Sequence, residues 1–308
     1  VSTRTFILGT RGSRLALVQT EEVLRELRRH HSGREFQVKV IKTRGDLDTV
    51  TPLPTLGRGV FSSEIERELL DRQIDLAVHS LKDLPGTLPS GLTIAALPER
   101  ADPRDVLVSR SGAVLAKLAP GALVGTSSPR RVALVREARP DLRTESVRGN
   151  VDTRVRKVMA GQYDALVLAA AGLLRLGQAD VVTEHLDPER FIPAIGQGTM
   201  AVEVREDDAE LIDLLRSVDH GPTRVATTAE RSFLRHVGGG CKVPVAAYAT
   251  VHGATVRVRG LVASPDGARV YRLVLEAPVA EAEAAGVRLV EALEAAGAKD
   301  LLARESAG

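Results

Sequence analysis

The stretch Asp75-Leu76-Ala77-Val78-His79-Ser80 is short and almost continuously apolar, as expected of a strand buried on both faces of a parallel sheet. Its start is echoed by Asp164-Ala165-Leu166-Val167. Gly9-Thr10 followed by Arg14-Leu15-Ala16-Leu17-Val18 likewise has a partner in Gly125-Thr126 followed by Arg131-Val132-Ala133-Leu134-Val135, if one residue is inserted. A parallel strand needs a crossover, and helical periodicity supplies one after each candidate strand. These constraints predict an α/β fold of two similarly built lobes, with a cleft between them for a ligand.

Phe6-Ile7-Leu8 reads as the first strand, and Ser13 as the N-cap of a helix over 14–29 whose stripe includes Leu15, Val18, Leu24 and Leu27. A strand over 36–41 and a helix over 62–71 follow. The Pro- and charge-rich segment 98–103 and the segment 191–198 read as crossovers between lobes. A helix over 208–218 precedes a third region that starts near His220-Gly221-Pro222. There, alternating strands within 246–263 and 270–277 and a helix over 279–296 predict a small α+β domain. The expected division is 1–98 with 199–216, then 104–193, then 220–308.

Basic residues, mostly arginine, number 42 against 40 acidic ones, and they recur where strands give way to helices. In Thr126-Ser127-Ser128-Pro129-Arg130-Arg131, Ser128 suits an N-cap and Pro129 the first helical position. Arg130 and Arg131 then fall in the first turn, where positive charge opposes the helix dipole, so an anion is expected there. Arg11 occupies the matching turn of the first lobe. Arg148 introduces another helix with Arg154 one turn inside, and Arg175 follows an apparent strand-to-helix junction. No complete phosphate-binding glycine motif is present, so the pattern points to carboxylates rather than nucleotides. A net charge of +2 and only 3% aromatic residues argue against a nucleic-acid binder.

At the end of the buried strand, Ser80, Lys82 and Asp83 point to acid–base work at the mouth of a cleft, or else to a salt-bridged turn closed by Pro85. His79 reads as a packed or hydrogen-bonded residue. Gly57-Arg58-Gly59-Val60-Phe61 reads as a lid in which Arg58 and Phe61 meet charged and flat parts of a ligand, or as a turn anchored by Phe61. The chain's one cysteine, Cys241, follows three glycines and precedes Lys242. It is either a reactive thiol favoured by that lysine or a buried inert one. One cysteine excludes an internal disulfide and a multi-thiolate metal site. With no secretory or membrane-spanning pattern, a cytoplasmic protein is expected.

Taken in order, Gly9-Thr10-Arg11-Gly12-Ser13-Arg14-Leu15-Ala16, Asp75 to Pro85, Gly125 to Arg131, Arg148-Gly149-Asn150-Val151-Asp152-Thr153-Arg154 and Gly239-Gly240-Cys241-Lys242-Val243-Pro244 closely resemble the porphobilinogen deaminase (hydroxymethylbilane synthase) family. The resemblance covers nearly the whole chain. It implies two binding-protein-like lobes with mainly parallel or mixed sheets, and a C-terminal α+β domain that carries a dipyrromethane cofactor as a thioether on Cys241. It further implies a transferase of heme and tetrapyrrole biosynthesis that joins four porphobilinogen units with loss of ammonia and releases hydroxymethylbilane.

In that reading Asp83, Lys82, Arg11, Arg148 and Arg154 serve catalysis. Lys82, Asp83, Ser80, Thr126, Ser127, Ser128, Arg130, Arg131 and Arg154 surround the cofactor. Arg11, Arg58, Phe61, Arg148, Arg154, Arg175 and Gln197 meet the substrate. A monomer with no metal, nucleic-acid or membrane partner is implied, and hand-over of product to the next pathway enzyme is compatible with it. Ser63 departs from the family, where a lysine commonly stands, which alters the expected lid contacts. A two-lobed sensor of a carboxylated metabolite is the alternative, though it leaves Asp83 and Cys241 without a task.

Overall fold

Ser13 starts the first helix as its position predicts, its side chain accepting from the Ala16 N–H at 3.2 Å. Arg28, Arg29 and His30 close the same helix, where positive charge complements the dipole. The computed structural model describes residues 4–47, 59–238 and 243–303. In chain order the elements are β1 (Thr5–Arg11), α1 (Arg14–His30), β2 (Glu35–Ile41), α2 (Arg44–Leu47), α3 (Ser63–Leu70), β3 (Leu76–Ser80), β4 (Leu92–Ala96), β5 (Asp105–Ser109), β6 (Leu123–Gly125), α4 (Pro129–Ala138), β7 (Arg143–Glu145) and α5 (Val151–Met159). They continue with β8 (Ala165–Ala169), α6 (Ala170–Arg175), β9 (Glu184–His185), β10 (Met200–Arg205), α7 (Ala209–Leu215), α8 (Gly221–His236), β11 (Val245–His252), β12 (Thr255–Ala263), β13 (Val270–Pro278), α9 (Ala282–Leu293) and α10 (Lys299–Ala303).

The chain divides into two compact units, one reaching Ala101 and resuming over Gly198–Arg224, the other comprising Asp102–Gln197 and the chain from Val225. In the first unit the sheet order is β2-β1-β3-β10-β4. β1 runs parallel to β2 and β3, whereas β10 is antiparallel to both β3 and β4. Leu76 and Val78 pack with Val23, Leu24 and Leu27 of α1. Ala77, between them, packs with Ile65 and Leu69 of α3. The apolar run is therefore covered on both faces, and each large side chain buried this way contributes about 1.5–3 kcal/mol.

The second unit repeats the plan with sheet order β7-β6-β8-β5-β9. β6 is parallel to β7 and β8, and β5 is antiparallel to β8 and β9. The repeat extends to single residues. Asp75 accepts from the Ile7 N–H and Asp164 from the Leu123 N–H, both at 2.8 Å, so each aspartate braces the first strand of its sheet. A Cβ at Gly9 would lie 2.3 Å from Ile74, and one at Gly125 would lie 2.8 Å from Tyr163, so the residue before each aspartate packs over a glycine. The same unit also holds the antiparallel sheet β11-β12-β13, whose core with α8 and α9 includes Phe233, Val258 and Leu289. No described helix is long and apolar enough to cross a membrane.

Candidate active site

In the first unit, the carboxyl ends of the parallel strands β2, β1 and β3 share one edge of the sheet. Arg11 ends β1, and its guanidinium donates to Asp46 at 2.5 Å and lies 4.0 Å from the centre of the Phe61 ring. That ring occupies the space a side chain at position 45 would need, since a Cβ on Gly45 would sit 2.1 Å from it. Burial works against ionisation of Asp46, but hydrogen bonds from Arg11 and Thr43 prevail and hold its carboxyl below the usual range. Arg11 and Phe61 are thus brought together as a cation–π pair.

β3 ends in a 3₁₀ turn, Leu81–Asp83, with Leu81 and Leu84 buried on either side of the exposed Lys82 and Asp83. The Leu81 N–H bonds the Thr199 carbonyl at 2.9 Å, and Gln19 of α1 donates to Ser80 Oγ at 3.0 Å. Among the described residues, Asp83 has no hydrogen-bond or ion-pair partner. The fold thus anchors the turn on both sides and leaves its carboxylate facing outward.

The second unit presents the equivalent edge. Ser128 caps α4 by accepting from the Arg131 N–H at 3.4 Å, with Pro129 as the first helical residue. The Thr126 N–H bonds the Glu145 carbonyl at 2.9 Å. Ser127 Oγ accepts from the Val147 N–H at 3.1 Å and donates to the Val147 carbonyl at 2.6 Å. The turn after β6 is thereby stitched to the loop that carries Arg148. Arg154, one turn into α5, reaches back to the Gly149 carbonyl at 2.7 Å, while Gly149 takes φ +110°, a conformation glycine favours.

Two expectations are corrected. Arg130 and Arg131 turn inward, and the anion that answers them is Asp105, fully buried at the start of β5. Arg130 donates to it at 2.7 Å, while Arg131 does so at 2.8 and 3.1 Å. Burial opposes the Asp105 charge, but the two guanidiniums outweigh it and hold the carboxyl far below the ordinary range. Burial also pulls Arg130 below its usual value, beyond what Asp105 restores. Gln197, expected at the substrate, is buried and donates to Asp105 at 2.8 Å and to the Pro103 carbonyl at 2.7 Å, while its oxygen accepts from Arg131. Its amide braces the chain crossings rather than facing outward. Arg175 follows the junction of β8 with α6, as its place in the sequence predicts, and closes that helix.

Cys241, Lys242 and Arg58 lie outside the described residues. Sequence reasoning missed Asp46, Asp105 and Gln19. Asp105 carried a usable signal, a lone charge opening the apolar run Asp105-Val106-Leu107-Val108 while two nearby arginines lacked a counter-ion.

The model of the porphobilinogen deaminase dipyromethane cofactor binding domain matches residues 6–213, and that of the porphobilinogen deaminase C-terminal domain matches residues 225–295. The chain belongs to the porphobilinogen deaminase family. A porphobilinogen deaminase of Roseiflexus sp. is 48% identical over 97% of this chain and 99% of its own length. The Bacillus subtilis protein of that name is 44% identical over 98% of this chain and 96% of its own.

A porphobilinogen deaminase needs a cradle for the carboxylates of its dipyrromethane, and the donor set suits one. Arg130 and Arg131 share a single carboxylate, so their cluster carries one surplus positive charge. The Nε atom of Arg130 is buried without a hydrogen-bond partner among the described residues. The surplus positive charge of this pair, next to the Ser127–Ser128 turn, suits the anionic side chains of a cofactor.

Proposed function

We propose that this chain polymerises four porphobilinogen molecules head to tail, with loss of ammonia, on a dipyrromethane held through a thioether at Cys241. Hydrolysis then releases hydroxymethylbilane. The reading is carried by the outward-facing Lys82–Asp83 turn at the end of β3, set in a chain in which arginines follow the parallel strands β1, β6 and β7. The functional division follows as 1–98 with 199–216, 104–193, and 220–308 as the domain bearing the cofactor cysteine.

Porphobilinogen enters with an aminomethyl group that is protonated near neutral pH. The Asp83 carboxylate pairs with that ammonium and then stabilises the pyrrole cation left when the C–N bond breaks and ammonia departs. The dipyrromethane, when bound, supplies the pyrrole carbon that couples to the substrate methylene. After that C–C bond forms, Asp83 accepts the ring proton and aromaticity returns. Lys82 binds a substrate carboxylate. Arg11, steadied by Phe61, and Arg58 with Arg148, Arg154 and Arg175 clamp the acetate and propionate groups. Ser80, Thr126, Ser127 and Ser128 hold the primer with Arg130 and Arg131, whose surplus charge attracts it. The enzyme acts as a cytoplasmic monomer and hands its product to the next enzyme of the pathway.

Intact mass of the purified protein tests this, before and after porphobilinogen is added and with Cys241→Ala. The expected result is a dipyrromethane-sized increment that the variant lacks, followed by a ladder of single-pyrrole additions. A folded wild type that carries no adduct and releases no ammonia would return the chain to the carboxylate-sensor reading.

A further inference from the structure

The proton and charge work assigned to Asp83 leaves an unexplained cluster directly behind it in the first unit. His79 is 6% exposed, and Glu203 of β10, diagonal to it across the β3–β10 ladder, is 0% exposed. His79 Nε2 lies 3.1 Å from Glu203 Oε2, off the line of a ring N–H, so neither group has a well-formed hydrogen bond among the described residues. Glu66 of α3 lies near both, 7% exposed with Oε1 unpartnered, and Ser62 Oγ is buried and unpartnered as well. Burial raises Glu66 above the ordinary carboxylate range, and the charge of Glu203 adds to the rise, with the nearby Ser62 hydroxyl opposing it.

A buried ionic pair is a weak source of stability, since apolar residues of similar volume often replace one without loss. The strand Met200-Ala201-Val202-Glu203-Val204 is otherwise apolar, and an aliphatic side chain at 203 would suit its packing. Stability therefore does not account for the pair, whereas its position in the chain does. His79 immediately precedes Ser80, whose side chain is held by Gln19 on the opposite face of the sheet. Consecutive residues at the end of β3 thus meet polar partners on opposite faces of the sheet, and the Lys82–Asp83 turn begins at the next residue.

We propose that His79, 3.1 Å from Glu203, is a positioning residue that sets the direction in which the Asp83 carboxylate leaves the sheet. The proposal rests on the polymerase reading above. A reacting group displaced by about 1 Å can cost about 10²-fold in rate, so a loose clamp registers in turnover before it registers in folding.

The test uses holoenzyme whose primer mass has been verified, and follows ammonia release from porphobilinogen. Wild-type ammonia release tests the functional reading separately from the variants. In the double variant His79→Leu with Glu203→Leu, the expected unfolding midpoint is unchanged within a few degrees. Its kcat should fall on the order of 10- to 100-fold at constant KM, the mark of an interaction needed in the transition state. Glu203→Gln keeps an oxygen facing the ring and should retain kcat within about threefold. A double variant with wild-type kcat, a loss confined to KM, or a Gln variant as slow as the double one overturns the proposal. Should the apolar pair fail to fold, His79→Asn, too short to reach Glu203, takes its place with the same two outcomes.

Discussion

Replacing Asp105 by Asn leaves the size of the side chain nearly unchanged and removes the one negative charge between two buried guanidiniums. Asp105 accepts four hydrogen bonds, at 2.7, 2.8, 2.8 and 3.1 Å, from Arg130, Arg131 and Gln197. An asparagine keeps one acceptor oxygen and turns an NH₂ group toward donors. Breaking a buried ion pair from one side costs about 3–5 kcal/mol, because the remaining charge has no counterpart. Taking about 4 kcal/mol with a urea slope of about 2 kcal/mol/M, the midpoint should fall by about 2 M.

The chain offers a local reporter for this experiment. It has no tryptophan, and its three tyrosines, Tyr163, Tyr248 and Tyr271, all lie in the second unit with Asp105. Tyrosine fluorescence therefore follows that unit alone. Asp141→Asn is the control, since its bond to Arg139 at 2.6 Å is exposed and screened by solvent. The pH dependence has a fixed sign. The folded Asp105 value lies below the unfolded one, so the unfolded state binds more protons and wild-type stability falls as the solution is acidified. The gap between wild type and Asp105→Asn is full at neutral pH and narrows as pH drops below the ordinary carboxylate range. A tyrosine-detected loss no greater than that of Asp141→Asn would refute the assignment of Asp105 as counter-ion.

Glu66 has the opposite sign. Its folded value is raised, so the folded state binds more protons, and wild-type stability declines as pH rises from the ordinary carboxylate range toward that folded value. Glu66→Gln should flatten the decline in urea titrations at a series of pH values, and an unchanged slope would contradict the burial argument. Gly286→Ala should destabilise by about 1–3 kcal/mol despite alanine's better helix propensity, because its Cβ would lie 2.3 Å from the Ala229 carbonyl oxygen of α8. A gain in tyrosine-detected stability would show that α8 and α9 have room to spare.

The repeat was legible because it is local. Gly9 and Gly125 mark places where a side chain packs over a strand, and Asp75 and Asp164 mark strand starts, each needing only a few adjacent residues. Ser13 and Ser128 were legible as caps for the same reason. Partners distant in sequence were not. Asp105 meets Arg130 and Arg131 from another strand, and Gln197 joins them from a later crossing of the chain, so their mutual satisfaction left no periodic trace. Nothing in the spacing of Thr43 and Asp46 revealed that Arg11 and Phe61 would meet beside them. Arg175 was legible for the local reason again, since β8 gives way to α6 within the alanines that precede it.

What separates the two lobes is the end of the third strand. β3 and β8 hold the same sheet position and begin after the same bracing aspartate, and both are buried nearly throughout. β3 stops at Ser80 and makes a tight turn that exposes Lys82 and Asp83, whereas β8 runs directly into α6 with its alanines buried. A helix begun there fixes the following residues against the sheet and leaves no outward carboxylate. A 3₁₀ turn pinned by Leu81 and Leu84 does the reverse. In a duplicated scaffold the reactive acid therefore belongs to one copy, while the other copy places arginines just after β6 and β7. Asp83→Asn should accordingly abolish ammonia release at unchanged stability, whereas changes at the β8–α6 junction should act first on folding.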